Sequence, residues 1–144
     1  MLIKIVCIGK FKDRHLEAKY KELLKWIGPY AKVEVVELRD STREKESESL
    51  RSKIDPGKEY IFILSEEGKT FTSHAFSETI AAIDRKIVFV IGGPYGMTPE
   101  LKQCAHTLLA LSPMTMTHEM ARLFLVEQLY RAISIARGGK YHND

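Results

Sequence analysis

The segment 86–96, KIVFVIGGPYG, constrains the fold more tightly than any other part of the chain. Five consecutive apolar residues, mostly β-branched, run directly into a turn with three glycines and a proline. An apolar run without alternation is typical of a strand buried on both faces of a parallel sheet. Ligands of such sheets bind beyond the carboxyl ends of the strands, where glycine lets a ligand approach the backbone. The stretch alone leaves two interpretations open, a ligand-binding loop and a plain turn before a helix near Thr98.

Segments of strand and helix character alternate along the whole chain. Strands are predicted at 2–8, 33–38, 60–64, 87–91 and 107–111. Helices are predicted from the N-cap Asp13 to Ile27, from 73 to 84, from Thr98 onward and from 118 to 137. The alternation predicts one α/β domain over residues 1–144, with a largely parallel sheet flanked by helices.

Three polar or irregular connections lie between these elements. The stretch 40–52 has good helix formers but few large apolar residues, so an exposed, partly mobile helix and loop is expected. Residues 65–70, SEEGKT, are predicted as a loop at the carboxyl end of the third strand. Residues 112–117, SPMTMT, are predicted as an irregular loop after the fifth strand.

The last predicted helix has apolar residues on every side. Met120, Leu123, Phe124, Tyr130 and Ile135 share no single face. A helix that is hydrophobic all round has to be covered on more than one side. In so short a chain, a two-fold homodimer is the expected cover.

Composition favours a soluble globular protein in a reducing, cytoplasmic setting. No apolar run is long enough to cross a bilayer, and no signal segment opens the chain. The two cysteines, Cys7 and Cys104, form no disulfide framework. The net charge of +3 is too mild to establish a nucleic-acid partner. Basic residues nevertheless cluster near both ends: Lys10, Lys12, Arg14, Lys19, Lys21, Lys25, Arg122, Arg131, Arg137 and Lys140.

Several common catalytic motifs are excluded by their spacing. Gly68-Lys69-Thr70 imitates the end of a P-loop, but Ile63 stands where the first glycine belongs. The glycines at 92–96 lack GxGxxG spacing and follow the fourth strand instead of the first, which excludes a dinucleotide site. The five histidines show no ligand spacing, so no metal is expected. The chain also lacks a Gly-x-Ser-x-Gly elbow and a basic setting for a cysteine nucleophile.

Three loops at strand carboxyl ends remain as the candidate site. They follow Leu64, contain Gly92 and Gly93, and span 111–116. Loops rich in backbone groups, leucine and methionine suit a neutral adenosine better than a phosphate. The pattern therefore points to an adenosine cofactor without pyrophosphate, such as S-adenosyl-L-methionine (SAM).

Five groups of residues in the same order resemble the RlmH family of the SPOUT methyltransferase superfamily. They are IGGPYG at 91–96, LSPMT at 111–115, THEMAR at 117–122, EQLYRA at 127–132 and the pair Tyr141-His142. CIGK at 7–10 and GPY at 28–30 match as well, so the resemblance covers nearly the whole chain. The final Asn143-Asp144 departs from the family, whose members often end in a basic residue. We therefore expect little contribution to RNA binding from these two positions.

The resemblance implies a C-terminal trefoil knot, an obligate homodimer and methylation of N3 of a pseudouridine. The substrate it implies is 23S ribosomal RNA in the assembled ribosome. Sequence periodicity indicates none of these properties, and a knot runs against the usual rules of topology. Carried over by position, the SAM-binding residues would be Leu64, Gly92, Leu111, Ser112, Pro113, Met114, Thr115 and Met116.

The catalytic candidates are His118, Arg122, Tyr141 and His142. Pseudouridine N3 must lose a proton before it attacks, so a base or an anion-stabilising group is required. Each candidate also has an ordinary structural interpretation: helix capping for His118, a surface ion pair for Arg122 and a disordered end for the other two. Gly138-Gly139 would let the last residues fold over a flipped base. Two other functions stay open, a ribosome-binding module without catalysis and a metabolite-binding α/β domain.

Overall fold

A computed structural model describes residues 1–144, and its five strands form one parallel sheet in the order β2-β1-β4-β3-β5. The strands are β1 (Leu2–Ile8), β2 (Lys32–Leu38), β3 (Tyr60–Lys69), β4 (Ile87–Ile91) and β5 (Thr107–Leu109). The helices are α1 (Arg14–Ile27), α2 (Arg43–Arg51), α3 (Ser73–Ala81), α4 (Pro99–Lys102) and α5 (His118–Ala136). The predicted α/β architecture is confirmed. None of the helices combines the length and hydrophobicity that crossing a membrane requires.

Helices cover both faces of the sheet and create two apolar cores. On one face α1, α3 and α5 pack on residues such as Ile5, Phe62 and Phe89. On the other face Leu50 near the end of α2 and Leu101 in α4 pack on alternate strand residues. Every residue of β4 is buried, as the apolar run predicts for a central strand. Its carboxyl end therefore lies in the middle of the sheet edge, where a ligand can be surrounded.

Helix starts follow local capping chemistry. The side chains of Asp13, Thr42, Thr72, Thr98 and Thr117 each accept a hydrogen bond from a backbone N–H in the first turn of the helix that follows. Such a bond satisfies a donor that has no partner within the helix. The residues immediately before α1 and α5 border the cavity described below, so these caps also shape the candidate site.

The stretch 40–52 is more buried than predicted. Within α2, Glu46, Ser47 and Leu50 are all buried. Glu46 accepts a hydrogen bond from the Ser41 N–H at 2.7 Å, and Ser47 accepts one from the Thr98 N–H at 3.0 Å. The Ser47 contact and the core residue Leu50 thus dock the helix, and Glu46 fixes the chain at its start. The prediction of an exposed helix was wrong for this face.

The predicted loop 65–70 is also wrong, because β3 continues through Lys69. Leu64 and Lys69 both align with Leu109, so the residues between them bulge out of the ladder. A Cβ at Gly68 would lie 2.5 Å from the backbone oxygen of Leu108, which explains the glycine. Other differences are confined to element ends: α3 stops at Ala81, β5 at Leu109, and α5 at Ala136.

Candidate functional site

One large cavity opens where β4 and β5 end and β3 bulges. Its volume is about 760 Å³, within the usual range for small-molecule sites. The walls come from Leu64 in β3, from the glycine turn after β4 and from the loop between β5 and α5. Residues at the start of α5 and before α1 complete them. The three segments predicted to form the site therefore border one space, although the first of them belongs to β3 and is not a loop.

The cavity contains every predicted cofactor residue except Pro113. Leu64, Gly92, Leu111, Ser112, Met114, Thr115 and Met116 all line it. The Ser112 hydroxyl accepts a hydrogen bond from the Met114 N–H at 3.0 Å and so shapes the loop. This contact leaves Met114 78% exposed, free to pack on a ligand.

The glycine turn after β4 allows a ligand to approach the backbone closely. A Cβ at Gly92 would come within 2.8 Å of Met97 Cγ, in the cavity wall. Gly96 has a φ of +79°, a conformation that other residues rarely adopt. The turn thus requires a backbone conformation that favours glycine, and it places few side chains on the side of the cavity. This geometry favours the ligand-loop interpretation over the plain turn.

His118, at the first position of α5, is the only catalytic candidate that lines the cavity. Next to it, Glu119 accepts hydrogen bonds from the backbone N–H groups of Lys12 and Asp13 at 3.0 and 3.1 Å. These bonds tie the β1–α1 connection to the start of α5. The bordering residues Lys12, Asp13 and Leu16 were missed by the sequence reasoning, because only the folded chain brings this connection to the cavity.

Arg122 lies outside the cavity and is almost fully buried, at 1% exposure. It pairs with Glu37 of β2 at 2.7 Å and donates to the Gly9 carbonyl at 3.3 Å. Its guanidinium lies over the rings of Phe11 and Tyr20, 4.3 and 5.0 Å from their centroids. The expected surface ion pair therefore joins a buried arginine of α5 to a partly exposed glutamate of the sheet. Within one chain Arg122 does not reach the cavity.

Cys7 lies near this pair and is not an activated thiol. Burial raises the pKa of the Cys7 thiol to about 11, although the nearby Arg122 guanidinium acts in the opposite direction. A thiol with this pKa stays protonated at neutral pH and is a poor nucleophile. Cys7 is fully buried in the core and is best described as a packing residue.

We expect Glu37→Gln to lower the free energy of unfolding by about 2 kcal/mol, measured by urea denaturation. The substitution keeps the shape of the side chain but leaves the buried charge of Arg122 without its counter-ion. Glu34→Gln is the matched control, because Glu34 lies on the same strand, is half exposed and faces Lys86 at 3.5 Å. It should change stability by less than ~0.5 kcal/mol. Equal effects of the two variants would contradict the assignment.

Tyr141 and His142 lie far from the cavity of their own chain. The Tyr141 ring packs on Tyr130, with centroids 4.8 Å apart, and His142 Nδ1 lies 3.1 Å from Arg131. At a rise of about 1.5 Å per residue, Arg131 is about 20 Å along α5 from His118. A single chain therefore does not unite the predicted catalytic residues.

The surroundings of Tyr141 define its protonation state. Burial and the neighbouring Glu127 carboxylate raise the pKa of the Tyr141 phenol above its ordinary value, while Arg131 acts in the opposite direction. The phenol is therefore protonated at neutral pH. It can donate a hydrogen bond to a developing anion, but it is unsuited to removing a proton.

Comparison with known proteins gives a consistent result. A family profile described as "Predicted SPOUT methyltransferase" matches residues 1–142. The chain is 50% identical over 109 residues to the ribosomal RNA large subunit methyltransferase H of Synechococcus sp. (strain CC9311), covering 75% of each chain. It is 35% identical over 159 residues to the protein of the same name from Streptococcus uberis, covering 99% of each.

Two solved structures share the fold at low sequence identity. A probable methylase family protein from Haemophilus influenzae Rd KW20 aligns with a TM-score of 0.58 and 16% identity, over 99% of this chain and 70% of that one. The Legionella pneumophila protein Lpg2936, described in complex with the bound cofactor SAM, aligns with a TM-score of 0.50 and 12% identity. That alignment covers 94% of this chain and 66% of the other. At these identities the likeness concerns the fold alone.

Proposed function

Because the chain belongs to the SPOUT methyltransferase family, we propose that it transfers a methyl group from SAM to N3 of a pseudouridine in 23S ribosomal RNA. Relatives at 35% to 50% identity carry the name ribosomal RNA large subunit methyltransferase H, which supports ribosomal RNA as the substrate. We place the reaction in the cytoplasm, on the assembled ribosome.

The cavity is the observation that carries this proposal. Its volume, its methionine and leucine walls and its side-chain-free glycine turn suit the adenosine and methionine parts of SAM. Leu64, Gly92 and the loop 111–116 would hold the cofactor. When bound, SAM supplies a methyl group already activated by its sulfonium. The protein's contribution is then mainly alignment and exclusion of water.

We assign proton removal from pseudouridine N3 to His118, because its imidazole borders the cavity and offers a ring nitrogen that can act as a base. The protonated phenol of Tyr141 would stabilise the resulting anion, and His142 would assist it. Lys12 borders the cavity, and Lys10 and Arg14 are exposed residues close to it in the sequence; all three would contact RNA phosphates. Arg122 would act indirectly, by holding the start of α5 in place.

We propose a homodimer because these groups are separated within one chain. His118 and the pair Tyr141-His142 occupy distant parts of one chain, so only a second copy can place the pair over the cavity. Phe124 supports this proposal: it lies on α5, is 42% exposed and has no cover within the chain that would bury it. Most of the other apolar residues of α5 pack against α1, α3 and the sheet. The trefoil knot stays a prediction.

We expect Phe124→Glu to convert the dimer into a monomer in sedimentation velocity experiments, because a charge would be buried at the interface. Leu2→Glu is the control. Leu2 is also an exposed apolar residue, at 52%, but it lies at the start of β1 and is not part of α5. The control should remain dimeric. A monomeric native protein, or dimers of both variants, would contradict an interface on α5.

The activity is tested by incorporation of a labelled methyl group from SAM into large ribosomal subunits that lack the modification. We expect stoichiometric incorporation with intact ribosomes and much less with protein-free 23S RNA. Tight SAM binding without incorporation into any ribosomal RNA would instead support a ribosome-binding module that lacks catalysis.

A further inference from the structure

Three potential metal ligands meet on the surface formed by α3 and the last residues of the chain. The Asp144 carboxylate oxygen Oδ1 lies 2.8 Å from His74 Nε2 and 3.0 Å from His142 Nε2. The two imidazole rings are perpendicular, with centroids 4.8 Å apart. One ligand atom from each residue lies within 4.8 Å of the other two. The histidine spacing in the sequence gave no sign of this cluster.

We propose that His74, His142 and Asp144 form a binding site for a zinc ion. Two imidazole nitrogens and one carboxylate oxygen are a common three-residue zinc set, which leaves a fourth position for water. Ligands on a tetrahedral zinc ion are roughly 3.4 Å apart at Zn–N and Zn–O distances near 2.1 Å. The observed separations require shifts of about 1 Å or less for most pairs. His74 and Asp144 are both more than half exposed, so an ion can enter from solvent.

The hydrogen bonds of the metal-free cluster indicate how binding would proceed. Arg131 can only donate, so His142 Nδ1 accepts its hydrogen bond, and the proton of the neutral ring lies on Nε2 and points to Asp144. Zinc at Nε2 requires the other tautomer, with the proton on Nδ1. That proton would face an N–H of Arg131, so that two hydrogen-bond donors would point at each other.

Zinc binding therefore displaces the Arg131 contact with His142. Arg131 keeps its two hydrogen bonds to Glu127, at Nε and NH2, so its charge stays compensated. The loss of one hydrogen bond makes the site weaker than a closed structural zinc site. Occupancy would fix the segment 138–144 on α3 of its own chain.

The test is isothermal titration calorimetry of the untagged full-length protein with zinc chloride in a non-chelating buffer. We expect one zinc ion per chain, with affinity lowered at least ~10-fold by His74→Asn and by Asp144→Asn. His15→Asn is the control, because His15 is exposed on α1 and belongs to no cluster. It should bind zinc like the native chain.

NMR spectra of the histidine rings provide a second measurement that does not depend on affinity. Zinc should shift the signals of His74 and His142 and leave those of His15 and His106 unchanged. Absence of stoichiometric binding to the native protein, or equal binding by His74→Asn and His15→Asn, would overturn the proposal. So would shifts confined to other histidines. His142 enters both proposals, but the titration measures zinc binding and the ribosome assay measures methyl transfer, so failure of one proposal is distinguishable from failure of the other.

Discussion

Removal of residues 138–144 is expected to lower methyl transfer to ribosomal RNA by at least ~100-fold while SAM affinity stays unchanged. The deleted segment carries Tyr141 and His142, which would stabilise the anion formed at pseudouridine N3. None of its residues lines the cavity, so the walls proposed to bind SAM remain intact. Transfer is measured with ribosomes and labelled SAM, and affinity by calorimetry.

Point variants separate a chemical role of this segment from a structural one. Tyr141→Phe removes the phenolic donor but keeps the ring that packs on Tyr130 and Trp26. It should reduce the rate of transfer without changing the KM for ribosomes. Lys140→Ala, at an exposed neighbouring position, is the matched control for the chemical role. Full activity of the truncated protein would remove Tyr141 and His142 from the catalytic machinery.

Thr115→Trp is expected to weaken SAM binding by about 2 kcal/mol or more, which is roughly 30-fold in the dissociation constant. Thr115 lines the cavity and is exposed, so the larger side chain can enter the cavity without disturbing the core. The indole would then compete with the adenosine for the same volume. Calorimetric titration with SAM measures the effect.

Tyr95→Trp is the control for this substitution. Tyr95 lies in the glycine turn beside the cavity but is 69% exposed and does not line it. An indole at this position should leave SAM affinity within about twofold of the native value, because a surface substitution has little to disturb. Unchanged binding to Thr115→Trp would mean that the cofactor occupies a different site.

The two deficient proteins can also be combined. In a mixed dimer, the truncated chain supplies an intact cavity and the Thr115→Trp chain supplies an intact C-terminal segment. If each site takes these parts from different chains, the mixture regains part of the lost activity. If each chain serves its own cavity, the mixture stays inactive. The result therefore tests the composite site without relying on the position of Phe124.

Much of the fold could be predicted from apolar patterns. The unbroken run 87–91 predicted a central buried strand, and β4 occupies that place with all its residues buried. The extension of β3 could not be predicted, because residues 65–68 bulge from the ladder and the sequence there lacks the period of a paired strand. The burial of α2 involves polar contacts of Glu46 and Ser47, and such contacts produce no apolar pattern in the sequence.

The candidate site, like the fold, could be predicted from the sequence only in part. The loops at strand ends were predictable, because parallel strands bring their carboxyl ends to one edge. Arg122 was not, since its partners Glu37, Gly9, Phe11 and Tyr20 come together only in the folded chain. The cluster of His74 with Asp144 joins positions 70 residues apart, beyond the reach of any spacing rule.

The most direct test of the central claim is mass spectrometry of nucleosides from ribosomes incubated with the native protein and methyl-labelled SAM. The ribosomes should come from cells that lack the modification. We expect the label in N3-methylpseudouridine from 23S RNA, and its loss with Thr115→Trp. Label in another nucleoside would contradict the assigned substrate atom, and absence of label despite SAM binding would contradict the proposed activity.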